Sequence, residues 1–270
     1  FLANHLASVN PTIRSSGEDV LPNVYCGIAT LILVPLYLFT KSVPLKEKVA
    51  YTGLLGIMYF SFNANFLNYI WHGFHFPNDL PYRWSFMYSF ILITMAYKAF
   101  TNLSEFSKKQ LIAIGTGIIG FIILTQKIQS KNVMDSTIFV SIAFVIAYVI
   151  ILGLINSKKS QAMSLCVVLA CTVISELIVA STPHYVANQT KTSFTEDYDA
   201  FKEIQTVINE KDDSLFYRSE LTDLRTRMDP CWYDYNGVSI FSSMAYESTS
   251  NLINYLGVDG NFINSYTYND

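Results

Sequence analysis

Ser136-Thr-Ile-Phe-Val-Ser-Ile-Ala-Phe-Val-Ile-Ala-Tyr-Val-Ile-Ile-Leu-Gly-Leu-Ile-Asn156 runs for 21 residues without a charge. A helix that crosses a bilayer needs about 20 mostly apolar residues, so this run meets the requirement by itself. Working outward from it, five further apolar runs cover roughly 21–40, 49–70, 82–101, 110–126 and 162–181. A single soluble core has no use for six such runs in succession. The run at 110–126 is the shortest and carries Gly115, Gly117 and Gly120, residues small enough to let helices approach closely.

Charge divides the chain in the same place. Residues 1–181 hold 12 Lys/Arg and 7 Asp/Glu, whereas residues 182–270 hold 6 Lys/Arg and 14 Asp/Glu. A net +5 followed by a net −8 indicates two surroundings, bilayer and water. The expected fold is an α-helical polytopic membrane protein with about six transmembrane helices over 21–181. An outward loop end at 1–20 precedes it, and a small, incomplete α/β extracytoplasmic domain over 182–270 follows.

Lysine placement orients the spans. Lys41, Lys46, Lys48, Lys98, Lys108, Lys109, Lys158 and Lys159 fall on one side, against Arg14, Arg83, Lys127 and Lys131 on the other. The positive-inside rule puts the eight in the cytoplasm. The N-terminal segment, the 71–83 connection and the acidic tail then face outward. Tyr69, Trp71, Tyr82 and Trp84 sit at span ends, as an interfacial aromatic belt requires.

In the tail, Tyr198, Phe201, Ile204, Val207 and Ile208 repeat with helical period over 196–210. Residues 214–219 and 238–241 read as short strands, 229–237 as turns, and 243–256 as a helix closed by Gly257. Cys26, Cys166, Cys171 and Cys231 form no disulfide framework and no zinc spacing. Asn188-Gln-Thr190 is a glycosylation sequon, of consequence only in a eukaryote.

The chemistry concentrates in Asn68-Tyr-Ile-Trp-His-Gly-Phe-His-Phe-Pro-Asn-Asp-Leu-Pro-Tyr-Arg83. Arg83, at the mouth of a span, either snorkels to lipid headgroups or forks onto two phosphate oxygens. Pro77 and Pro81 stiffen the loop around Asp79. His72 and His75 are interfacial residues, hydroxyl-binding or acid–base groups, or two metal ligands lacking a clear third. Any divalent cation therefore lacks a clear ligand set, and no metal site is assigned. Asn63, Asn65 and Asn68 either join helices or line a polar cavity. Glu176 is the one acid well within a span, with Arg83 or the asparagines as expected partners. Glu18 and Asp19 form an outward acidic pair that is either solvated or supplies a base or metal ligands. Asp229, Asp234, Tyr233 and Tyr235 have the chemistry to stack on and hydrogen-bond a sugar. No Walker loop, GxGxxG, HExxH or GxSxG motif occurs, and an acidic tail repels nucleic acid.

Leu21-Pro-Asn-Val-Tyr-Cys-Gly27, His72-Gly-Phe-His-Phe-Pro77, Leu80-Pro-Tyr-Arg-Trp-Ser-Phe86, Phe216-Tyr-Arg218 and Gly237-Val-Ser-Ile-Phe-Ser-Ser-Met244 resemble, in order, the bacterial YfhO family of large polytopic membrane proteins. The resemblance implies an integral membrane glycosyltransferase of the GT-C type. Such an enzyme moves a sugar from a polyprenyl-phosphate donor to a cell-envelope polymer, here implied to be teichoic acid, on the outer face of the cell membrane. It further implies a catalytic acid in a first outward loop upstream of Phe1. The chain is accordingly expected to be an internal fragment, inactive by itself, with its catalytic base unassigned. Arg83 would contact the donor phosphate, and His72, His75 and Asp79 would bind hydroxyls or shape the pocket. The alternative reading is a non-enzymatic transporter of lipid-linked sugars or a membrane assembly partner for envelope biosynthesis.

The lysine pattern generates a direct test. In a cysteine-free background, Lys41→Cys and Lys108→Cys are expected to resist an impermeant maleimide applied to intact cells, and Arg83→Cys to react. The reverse labelling pattern would invert the topology.

Overall fold

The computed structural model describes residues 2–7, 9, 22–75, 82–128, 133–157, 161–181, 190–211, 214, 216–221, 226, 228–241, 247–257, 259–261 and 265–267. The chain divides into two compact units, Phe1–Val186 and Ala187–Asp270.

Among its described residues, the regular elements of the first unit are all helices. Its elements are α1 (Ile28–Phe39), α2 (Leu45–Ser61), α3 (Asn65–Trp71), α4 (Ser85–Thr101), α5 (Lys108–Ile128), α6 (Asp135–Ser157) and α7 (Ala162–Ser181). Three helices, Lys108–Ile128, Asp135–Ser157 and Met163–Ser181, are long and apolar enough to cross a membrane. The remaining apolar runs fold into shorter pieces. At 1.5 Å per residue the 12 residues of α1 extend about 18 Å, short of a hydrocarbon core of about 30 Å. An extended approach, Pro22–Gly27, leads into it with Pro22 and Val24 buried. The predicted run 49–70 is not one helix but two, α2 and α3, parted at Phe62–Ala64. There Ala64 turns to an extended conformation, and Asn63 Nδ2 donates back to the Tyr59 carbonyl (3.1 Å).

α1 is the centre of the bundle. Ile28, Ile32 and Leu36 recur every fourth residue and are fully buried with Leu33 and Tyr37 beside them, so one stripe and its flank meet α4, α5 and α6. Pro35 lies within this helix; neighbouring helices make such a break tolerable in a membrane interior. α5 packs on α6 where Gly115 faces Val149. Gly117 and Gly120, also expected to bring helices together, have open space where a Cβ would be. Only Gly115 makes the close approach.

Leu2–His5 form a 3-10 turn, and Ala3–Ala7 are buried against the bundle instead of forming part of a solvated loop. Non-helical backbone survives at membrane depth only where protein supplies its hydrogen bonds. Here Asn4 Nδ2 donates to the Pro22 carbonyl (2.8 Å), and the Ala7 N–H donates to Ser141 Oγ (3.2 Å).

At the end of the unit that carries Lys41 and Lys98, acids tie the connections together. Glu105 accepts from the Ser42 hydroxyl and from the backbone N–H groups of Lys41 and Ser42, which hold its carboxyl below the usual range. Glu47 pairs with Lys98, which keeps its carboxyl low as well, and accepts from Tyr37 Oη (3.2 Å).

The second unit contains α8 (Lys191–Thr195), α9 (Tyr198–Lys211), α10 (Asp229–Tyr233), α11 (Glu247–Tyr255) and a small antiparallel sheet in the order β1-β3-β2. The strands are β1 (Ile240–Phe241), β2 (Asp259–Asn261) and β3 (Ser265–Thr267), with Ile240 opposite Tyr266 and Gly260 opposite Tyr266. The predicted strand at 214–219 is instead extended chain beyond any sheet over its described residues, joined by Ser219 N–H to the Asn236 carbonyl (3.1 Å). The turn-rich stretch 229–237 contains the short helix α10. Tyr198 and Phe201, on the apolar face of α9, pack on Trp232 and Tyr233. Gly257, at φ +84, follows α11 in the left-handed conformation expected of a C-terminal cap.

The glycine geometry predicts unequal costs. A Cβ at Gly115 would lie 2.6 Å from Val149 Cγ2, and a β-branched side chain in a helix has little rotamer freedom to yield. Gly115→Ala is expected to lose about 1–3 kcal/mol in thermal or denaturant unfolding, with recovery on adding Val149→Ala. Gly117→Ala and Gly120→Ala should be neutral or mildly stabilising. Equal behaviour of the three would refute the packing assignment.

Candidate functional site

Two groups of polar side chains gather at the end of the helical unit where α1 begins. The first surrounds Glu176. This carboxylate lies five residues before the end of α7, about 8 Å along the helix, and is 2% exposed. Oε1 accepts from the Tyr25 hydroxyl and from the Ile28 N–H (2.6 Å), and Oε2 accepts from the Tyr148 hydroxyl. Ile28 is the first residue of α1, and the N-cap position, Gly27, has no side chain to satisfy the free N–H groups of that first turn. Glu176 therefore caps α1 from another helix, its charge set against the positive end of the helix dipole. Gly27 permits this by holding φ +94, which L-residues rarely adopt.

The expected partners of Glu176, Arg83 and the asparagines, do not hold it. Two tyrosines and a backbone N–H do. The three donors engage both carboxyl oxygens of Glu176 and tie α7 to the start of α1 and to α6.

The second group forms the rim. Phe62, at the α2–α3 break, stacks on Trp84 with ring centroids 4.3 Å apart and planes at 8°. Tyr82 and Tyr88 meet Phe62 edge-on at 5.7 and 5.6 Å, and Trp71 leans on Trp84 at 5.7 Å. Asn68, the buried member of the asparagine cluster, accepts from Trp84 Nε1 through Oδ1 (3.2 Å), and its carbonyl accepts from His72 Nδ1 (2.9 Å). Asn68 thus joins α3 to the start of α4, whereas Asn63 and Asn65 are exposed. Because a carbonyl can only accept, His72 Nδ1 carries a proton. His72 Nε2 is buried and has no hydrogen-bond partner among the described residues.

Arg83 lies between Tyr82 and Trp84, both locked in the aromatic cluster. Tyr82 holds φ +67, a strained conformation for a bulky residue. Arg83 itself is exposed, and no described residue forms an ion pair with its guanidinium. Trp84, at the N-cap position of α4, gives that helix no side-chain cap. Among the described residues, an unpaired guanidinium thus precedes a helix N-terminus without a side-chain cap, and both features attract anions. His75 is exposed. Asp79, Glu18 and Asp19 lie outside the described residues. Among the described residues no group of three or more His, Cys, Asp or Glu side chains could hold a metal ion.

Sequence reasoning missed His5, which is buried with its ring edge-on to Tyr88 at 5.8 Å and Nε2 3.3 Å from the Tyr88 hydroxyl. It also missed Tyr25 and Tyr148 as the partners of Glu176. The available signal was slight: a tyrosine in mid-span, and a glycine directly before an apolar run.

The Glu176 cluster predicts coupling between helices. Glu176→Gln and Tyr148→Phe should each destabilise the protein in bicelles, with an interaction energy of about 1 kcal/mol in a double-mutant cycle. Strictly additive effects would remove Tyr148 from the anchor.

A family model described as bacterial membrane protein YfhO matches residues 1–270. No curated protein and no solved structure matches the chain.

Proposed function

Because the chain belongs to the YfhO family of bacterial membrane proteins, we propose that it forms part of a GT-C type glycosyltransferase. In this reading it transfers a sugar from a polyprenyl-phosphate donor to a cell-envelope polymer, such as teichoic acid, on the outer face of the membrane. The six apolar segments make up a multi-pass domain, α1 completed by its buried approach and α2 by α3, and residues 182–270 are extracytoplasmic.

The observation that carries the reading is the setting of Arg83. Its backbone is fixed on both sides by aromatic packing, its guanidinium is unclaimed, and the uncapped first turn of α4 follows it. Breaking a glycosyl–phosphate bond develops negative charge on the departing phosphate, and a preorganised cation there favours the transition state over the ground state. His72, joined to the same corner through Asn68, presents a buried nitrogen able to accept from a sugar hydroxyl. His75, exposed at the end of the described stretch, is a further contact for sugar hydroxyls. Glu176 serves by fixing the helices from which the rim is built.

Arg83→Ala in the full-length protein is expected to lower transfer by about 10²–10³-fold, the scale of losing one transition-state contact, while membrane levels stay normal. Arg83→Lys should recover part of the loss, since it restores charge without the bidentate fork. Undiminished transfer by Arg83→Ala would overturn the phosphate role.

A further inference from the structure

The second unit holds a cleft of about 520 Å³ between α10 and the strand that follows it. That volume is within the range of small-molecule sites. One wall is apolar, with Met228, Pro230 and Ile240; the rest presents Arg218, Asp234 and Tyr235.

Backbone contacts build the cleft. A Cβ on Gly237 would lie 2.4 Å from Pro230 Cγ and 2.5 Å from Tyr235 Cε2, so only glycine lets the chain close over α10 at this point. Glu220 then fixes the next two residues by accepting from the N–H groups of Val238 and Ser239. Asp234 ends α10 in the left-handed conformation (φ 58), with the Tyr235 N–H returning to the Pro230 carbonyl (3.1 Å). On the other flank, the Arg218 guanidinium rests 4.9 Å from the centroid of the exposed Phe216 ring. Burial and the nearby Glu220 and Asp229 carboxylates keep the Tyr235 phenol protonated.

The two charges decide the ligand. Arg218 and Asp234 line one cleft, yet no salt bridge joins them, and no described residue neutralises either. A cleft with an unpaired cation and an unpaired anion fits a molecule that carries an anionic group and, apart from it, hydrogen-bond donors. Guanidinium matches phosphate by paired N–H donors, and a carboxylate accepts from neighbouring sugar hydroxyls. The proline, methionine and tyrosine surfaces suit the apolar face of a pyranose ring.

We propose that this cleft is a binding site for a phosphorylated sugar. The proposal does not rest on the transferase reading, because its test reads the binding lost from the cleft variants.

The full chain in detergent would be titrated with glucose 1-phosphate, glucose, inorganic phosphate and alanine, and followed by saturation-transfer NMR. Glucose 1-phosphate is expected to bind with Kd below about 1 mM, and more tightly than glucose or phosphate. Arg218→Gln should weaken glucose 1-phosphate at least tenfold and leave weak glucose binding intact. Asp234→Asn should weaken both sugars. Both residues are exposed, so neither change removes a buried contact. Absence of glucose 1-phosphate binding, binding unchanged in both cleft variants, or preference for the zwitterion alanine would each overturn the proposal.

Discussion

The helical unit depends on one carboxylate. α7 exposes Val167, Val168, Ile174, Leu177 and Ile178 and, among its described residues, fully buries only Glu176. Lipid tails are as apolar as these side chains, so burying them against protein gives no hydrophobic advantage in a bilayer. What distinguishes the docked helix from a separate one is the set of donors that Glu176 meets: two phenols and a helix N-terminus. A charge that would be costly in hydrocarbon becomes the reason for α7 to occupy one place. The same contact ends α1 at Ile28 and orients Tyr148 on α6, so three helices take their register from one side chain.

The rim is built on a different principle. Its aromatic rings hold one another by stacking and edge contacts, and Asn68 supplies the directional links, to Trp84 through its side chain and to His72 through its backbone. Rigidity is concentrated in the backbone around Arg83, leaving the guanidinium free. A cation held this way loses little freedom when an anion arrives, which is how a surface residue becomes a selective contact. Tyr82, in its strained conformation, bears the cost of that arrangement.

Much of this could be read from the residues. Apolar runs and lysine spacing mark the helical segments, and the family motifs at 21–27, 72–77 and 80–86 fall on the residues that form the Glu176 cap and the rim. The break at Phe62–Ala64 was hidden because Asn63 and Asn65 interrupt the hydropathy only slightly, whereas their effect on the backbone depends on local hydrogen bonds. Gly115 could not be told from Gly117 and Gly120, since the rotation of α5 toward α6 is a tertiary fact. The partners of Glu176 were missed for a related reason: a tyrosine in an apolar run has the same hydropathy whether it faces lipid or a carboxylate. In the second unit the helix at 198–211 follows from its period, but the cleft arises from a glycine contact with Pro230 and Tyr235 that no periodicity encodes.

The buried turn at Leu2–Ala7 has a consequence for biogenesis. Its contacts are with groups far along the chain, Tyr88 and Ser141 among them, which leave the ribosome long after it does. Until α4 and α6 have been inserted, this stretch lacks those hydrogen-bonding partners and has no stable place in hydrocarbon. The nascent chain can therefore settle this stretch into the bundle only once most of the bundle has been made.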